Sequence, residues 1–284
     1  MGRYVIMAES GADIPRETVE KYGIHIVPMH VTMGEETRDD GTFPIDEVYQ
    51  FYDRTGVLPK TSGSNVQDFE RAFDEVHSQD PDAHIIYLAY SAVTTVSFQS
   101  AQIAAEGRDY VTAIDTKQVS AGQYLAVMLT IEHMKEHPEE SPAEIREWVG
   151  SHREKIHMAF LPDTLKYLRA GGRVSNAQYL GASLLNLHPE IEIIGGELTA
   201  AKKYRGPMTK IYPKFFRDFD EKWHFDRKLI IIVHTPRMAQ KARDGIVPFL
   251  KEQGFEQIRW IPCGCVVSVH GGPGAFGFCG AECF

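Results

Sequence analysis

The fold is decided by residues 84–115: His84-Ile-Ile-Tyr-Leu-Ala-Tyr90, then Ser91-Ala-Val-Thr-Thr-Val-Ser97, then Phe98 to Glu106, then Tyr110-Val-Thr-Ala-Ile-Asp115. The first run is almost wholly apolar and too short for a helix, so it reads as a buried strand. A hydroxyl-rich turn follows, then a helix over Ser97–Glu106, then a second strand over Tyr110–Asp115. Strand, helix and strand in succession imply a mostly parallel sheet covered by helices.

The same alternation extends outward. Tyr4–Ala8 is a short apolar strand. Ile14–Tyr22 is a helix with Asp13 as its cap and Pro15 at its first position. Ile24–Met33 alternates as a strand, and Phe43–Arg54 and Val66–His77 are amphipathic helices. A long helix runs from Ala121 to His137. His137-Pro-Glu-Glu-Ser-Pro142 breaks the pattern, and a helix from Ala143 to Lys155 leaves it.

The second half is a different mixture. Met158–Leu161 is a strand, Asp163–Ala170 a helix ended by Gly171-Gly172, and Ala177–Leu187 a helix. Ile191–Ile194 and Leu198–Tyr204 form an antiparallel pair around Gly195-Gly196. Helix Met208–Trp223, strand Leu229–His234, helix Met238–Gln253 and strand Gln257–Pro262 follow. Cys265–His270 and Ala275–Cys279 read as two short strands around a glycine loop. The expected architecture is α/β with two domains, residues 1–156 and 157–284.

Composition excludes several classes. The chain has 284 residues, 43% apolar and 24% charged, which is a globular balance. Its net charge of −9 speaks against duplex binding, which needs a concentrated basic face. No apolar run reaches the ~18–20 residues of a membrane span. The N-terminus shows no signal-peptide core, and Ile6 stands where myristoylation requires Ser or Thr. A cytoplasmic location is expected.

Several motifs lack their context. Gly272-Pro-Gly274-Ala-Phe-Gly277 matches G-x-G-x-x-G, but no helix fits after it to meet a pyrophosphate. Cys263, Cys265, Cys279 and Cys283 do not follow a standard zinc spacing and read as reduced thiols. His133 and His137, four apart on a helix among charged residues, read as a solvated face. No metal and no cofactor are expected.

Two hydroxyl clusters remain. Lys60-Thr61-Ser62-Gly63-Ser64-Asn65 precedes a helix, and one of Thr61, Ser62 or Ser64 is expected to cap it. Ser91 to Ser97, with Thr94 and Thr95, follows a strand. Ligands of open α/β sheets bind outside the carboxyl ends of strands, so two such loops suit one small anion. Gly171-Gly172-Arg173 reads as a helix terminus whose doubled glycine permits a tight turn or a close backbone approach.

The blocks Glu9-Ser10-Gly-Ala-Asp13-Ile-Pro15, Lys60-Thr61-Ser62, Ser91 to Ala101, Leu165-Lys-Tyr167-Leu-Arg-Ala-Gly171-Gly172-Arg173 and His270-Gly-Gly-Pro273-Gly274-Ala275 resemble, in order, those of the DegV family. The resemblance implies a protein that binds a long-chain fatty acid, its acyl chain in an apolar tunnel and its carboxylate at the domain junction. It places Thr61, Ser62, Ser91, Thr95 and His270 around the head group. It also implies a fatty acid kinase as partner, engaged by Arg173 and with Arg205 in a related position. Contact with membranes would be transient at most, and a monomer is expected. The chain departs from the family's usual pattern at Glu9, at Thr95-Val96-Ser97 and at His188-Pro189.

Two other classes stay open on the residues alone. One is an acyl hydrolase or transferase with Ser91 or Thr95 as nucleophile and His270 as base, which needs a third group to orient the histidine. The other is a regulatory binder of a different small molecule. A histidine of ordinary pKa in the site would also make binding depend on pH near neutrality.

Overall fold

A computed structural model describes residues 4–174 and 187–283. The first half runs β1 (Tyr4–Glu9), a 3-10 turn (Ser10–Ala12), α1 (Arg16–Tyr22), β2 (His25–Val27), β3 (His30–Met33), β4 (Glu36–Asp39), α2 (Asp46–Thr55), β5 (Lys60–Ser62), α3 (Val66–Gln79), β6 (His84–Ala89), α4 (Ser97–Ala104), β7 (Val111–Asp115), α5 (Ser120–Glu136) and α6 (Pro142–His152). The second half runs β8 (Ile156–Leu161), α7 (Leu165–Gly171), β9 (Leu187–Ile194), β10 (Glu197–Arg205), α8 (Met208–Trp223), β11 (Leu229–His234), α9 (Gln240–Glu252), β12 (Gln257–Pro262), α10 (Cys265–Gly271) and β13 (Phe276–Ala281).

The expected parallel sheet is present, ordered β2-β1-β6-β7, with every neighbouring pair parallel. Ile86 and Leu88 face one core under α5, and Ile85, Tyr87 and Ala89 face another under α3 and α4. Burial on both faces explains why this strand is a continuous apolar run. The second half forms a mixed six-stranded sheet ordered β10-β9-β8-β13-β11-β12. Its aromatic core sits beneath α8 and α9, around Phe215, Phe216 and Phe278.

Five local expectations are corrected. The strand expected over Ile24–Met33 is two strands: β2 joins the parallel sheet, and β3 joins a separate three-stranded antiparallel sheet with β4 and β5. Asp13 does not cap α1. It closes the 3-10 turn with φ 53°, and Pro15 precedes the helix. None of Thr61, Ser62 and Ser64 caps α3, because Asn65 does so through a reciprocal capping box with Asp68. His133 is not solvated. Its ring stacks on Trp148 at 4.2 Å and its Nε2 lies 2.8 Å from Glu140 Oε2.

The fifth correction matters most for function. Cys265–Gly271 is a helix, not a strand. Val266, Val267 and Val269 favour a strand by propensity, but two buried Asp carboxyls accept the first amides of the helix. Asp13 Oδ1 accepts the Gly264 amide at 2.6 Å, and Asp40 Oδ1 accepts the Cys265 amide at 2.8 Å. Both acids come from the first half of the chain, so the local sequence carries no sign of them. The helix expected over 177–187 lies outside the described residues except for Leu187, which opens β9.

Candidate functional site

A narrow cleft opens between the loops of the first half and the second sheet. The two sides have different chemistry because they come from different elements. Met158 and Phe160 on β8 face the cleft, while Ala159 and Leu161, the residues after each of them, face the aromatic core. Leu198, Val233, Val266 and Phe276 continue the apolar wall. The polar lining includes Thr61, Ser62, Thr94, Thr95, Arg173 and His270, with Ser120, His234 and Thr235 beside the apolar residues.

Thr61 and His270 meet across 209 positions of sequence, with Thr61 Oγ1 2.8 Å from His270 Nε2. The edge strand β5 supplies the threonine, paired through Val31 of β3, and α10 supplies the histidine. The Asp13 and Asp40 contacts that fix α10 therefore also aim His270. Burial pushes the Asp13 carboxyl up to about 8, partly offset by hydrogen bonds from Ser120 and Gly264.

Burial, reinforced by the nearby Arg173 charge, pushes the His270 imidazole down to about 4. The ring is therefore neutral at physiological pH. Its Nδ1 is buried and finds no partner among the described residues. A buried orphan N–H is the costlier orphan, so the proton belongs on Nε2, pointing at Thr61. Thr61 then accepts from the histidine, and its own O–H is left to donate into the cleft.

The expectation of pH-dependent binding assumes a histidine of ordinary pKa, and burial moves His270 away from that in the unliganded protein. A histidine depressed in the folded state contributes stability that is fully present above about 6.5 and is lost as pH falls toward about 4. The His270 ring resonances should accordingly stay flat from roughly pH 5.5 to 8, where free histidines titrate. A midpoint near the ordinary value in an NMR titration would refute the assignment.

Of the other expected site residues, Ser62 is exposed on β5 and lines the cleft. Thr95 lines it too, with Oγ1 3.2 Å from Ser97 Oγ. Ser91 departs from expectation. It is fully buried, is absent from the lining, and donates its hydroxyl to the Gly196 carbonyl at 2.7 Å. That bond removes its only proton from the head-group set. Arg173 is exposed at the cleft mouth and donates Nη1 to the Gly171 carbonyl at 2.7 Å. Arg205 lies exposed at the opposite end of β10 from the hairpin turn.

The departures from the family pattern have structural homes. Glu9 is buried and accepts from the Tyr87 hydroxyl at 2.5 Å and the Gln123 side chain at 2.8 Å. Val96 is 61% exposed, so its side chain leaves the hydroxyls beside it free to face inward. His188 is buried, with Nδ1 3.0 Å from the Pro162 carbonyl. Cys263, Cys265 and Cys279 are buried free thiols and Cys283 is an exposed one. Among the described residues, no three His, Cys, Asp or Glu side chains gather as a metal site. No described helix is long and apolar enough to cross a membrane.

The apolar wall could not be picked out of the sequence, because β8 is apolar on both faces and nothing local says which face lines the cleft. Comparison with known proteins agrees with the architecture. A fatty acid-binding protein of Thermotoga maritima is 28% identical over 96% of both chains. A solved DegV family protein from Thermus thermophilus, described by its fatty acid binding, superposes with a TM-score of 0.87 at 26% identity, over 99% of this chain and 100% of that one. The Fatty Acid Kinase (Fak) B3 protein of Streptococcus pneumoniae, solved with linoleic acid, shares the fold with a TM-score of 0.82 at 19% identity, over 99% of each chain. A family model described as "Uncharacterised protein, DegV family" matches residues 3–282, so the chain belongs to the DegV family.

Proposed function

We propose that this chain binds a long-chain fatty acid without acting on it chemically, and presents it to a fatty acid kinase. The observation that carries this reading is the Thr61–His270 pair in a mainly apolar cleft. Burying a sixteen-carbon chain at ~0.8 kcal/mol per CH2 gains on the order of 12 kcal/mol before ordering costs. The head group then needs only neutral donors, since a dry unpaired carboxylate would cost several kcal/mol. Thr61, Ser62 and Thr95 supply hydroxyls there, and His270 orients Thr61.

The geometry disfavours the hydrolase or transferase reading. His270 contacts Thr61, not Ser91 or Thr95, and its Nδ1 has no partner among the described residues to orient it as a base. The exposed Arg173 at the cleft mouth supports a kinase-facing role, with Arg205 further along the same half. The division into residues 1–156 and 157–284, a cytoplasmic location and a monomeric state belong to the same reading.

The test is denaturing extraction of the protein as purified, followed by mass spectrometry. Near-stoichiometric C14–C18 acids are expected, and incubation with a bacterial fatty acid kinase and ATP should convert them to acyl phosphate. A lipid-free protein that also ignores added palmitate and oleate would overturn the reading. Turnover of acyl esters would favour the enzyme instead.

A further inference from the structure

We propose that Ser91 is a positioning residue: it latches the tip of the β9–β10 hairpin to the first half of the chain and so holds one wall of the cleft in place. The consequence for ligand release rests on the lipid-binding reading above. The latch itself rests on geometry alone.

Ser91 is held from several sides. Its amide donates to the Gln118 carbonyl at 2.9 Å. Its carbonyl accepts from the Thr94 amide at 3.1 Å and the Thr94 hydroxyl at 2.9 Å. The hydroxyl therefore points from a fixed base to the Gly196 carbonyl. The hairpin tip is shaped to receive it. Gly196 has φ +92°, where a side chain is strained, and an added Cβ would lie 2.5 Å from Ser91 Oγ and 3.2 Å from Val93 Cγ2.

What the latch positions lies two residues on. Leu198 lines the cleft and also forms a bridge with Val174, the residue after Arg173. β10 is an outer strand of its sheet, and its pairing with β9 shifts register between Ala200 and Lys203. One hydrogen bond at the tip thus fixes the apolar wall and the segment carrying the arginine together. For Ser91 to serve a carboxylate instead, it would have to abandon a buried carbonyl, which is left unpaired at a cost.

A latch acts on every ligand alike, whereas a head-group donor distinguishes an acid from its ester. With palmitate and methyl palmitate as probes, Ser91→Ala should raise both dissociation rates by about twofold to tenfold, the range of one neutral hydrogen bond. Without ligand, amide exchange at residues 194–198 should quicken while β6 stays protected. Gly196→Ala should act in the same direction, and the double variant should lose less than the product of the two, because the clashing oxygen is gone. If Ser91→Ala does not fold, Ser91→Cys, near-isosteric with a weaker donor, carries the same comparison.

Weakening confined to the acid would make Ser91 a carboxylate donor and overturn the latch. Unchanged release and unchanged exchange would overturn it too. A wild-type protein that binds neither probe would sink the lipid reading, and the exchange comparison would still decide the latch.

Discussion

Thr61→Val is expected to weaken binding of a long-chain acid by about one to two orders of magnitude and to leave its methyl ester near the wild-type value. Valine keeps the branched shape on β5 and removes only the oxygen that lies 2.8 Å from His270 Nε2. Acyl-chain burial is non-directional, so the apolar wall of Met158, Phe160 and Leu198 treats acid and ester alike. A hydrogen bond to a charged group contributes ~1.5–3 kcal/mol, and a neutral ester needs that donor far less. Paired titrations of the acid and the ester give the answer. Equal weakening of both would mean that Thr61 shapes the cleft and does not read the carboxylate.

Gly171→Ala should abolish most acid binding while the protein stays folded. Gly171 ends α7 without a left-handed φ, so alanine is acceptable to its backbone and improves helix propensity. The obstacle is the imidazole. An added Cβ would stand 2.3 Å from His270 Nδ1 and 3.1 Å from Cε1. The ring cannot make room cheaply, because α10 is fixed at its start by Asp13 and Asp40. Pushing His270 off Thr61 removes the N–H that orients the threonine hydroxyl toward the ligand. Acid affinity should fall at least as far as in Thr61→Val, about one to two orders of magnitude, with a thermal midpoint within a few degrees of wild type. Normal acid binding with unmoved His270 resonances would show that the loop yields and the ring does not.

The doubled glycine of the Leu165–Arg173 block thus has two physical roles. Gly172 takes the left-handed helix end, with φ 61°, which a sequence reading expects of a terminal glycine. Gly171 is small because an imidazole from a helix 99 positions later packs against it, and only the tertiary structure shows that partner.

Local chemistry determined much of this protein from sequence alone. Burial makes β1, β6 and β11 near-continuous apolar runs and β7 an alternating one, so all four are legible as strands wherever they fall. Helices α2, α3 and α8 announce themselves by apolar residues at helical spacing, and the turn at Gly195-Gly196 by its composition. The hydroxyls of Thr61, Ser62 and Thr95 stand out because clustered hydroxyls suit anion binding, although Thr61 and Ser62 lie on the edge strand β5 and not in the expected loop. These signals are contained within a dozen residues, which is why no partner is needed to read them.

The tertiary structure decided whatever depends on groups far apart in the chain. Cys265–Gly271 is a helix because Asp13 and Asp40 accept its first amides, against the strand preference of its valines. His270 is neutral because burial outweighs its ordinary basicity, and burial is a property of the packed molecule. Ser91 and Thr61 look equivalent as isolated hydroxyls, yet Gly196 engages the first and His270 leaves the second free to donate. A hydroxyl's role is set by which acceptor reaches it first, and that is a matter of distance in space, which residue order does not encode.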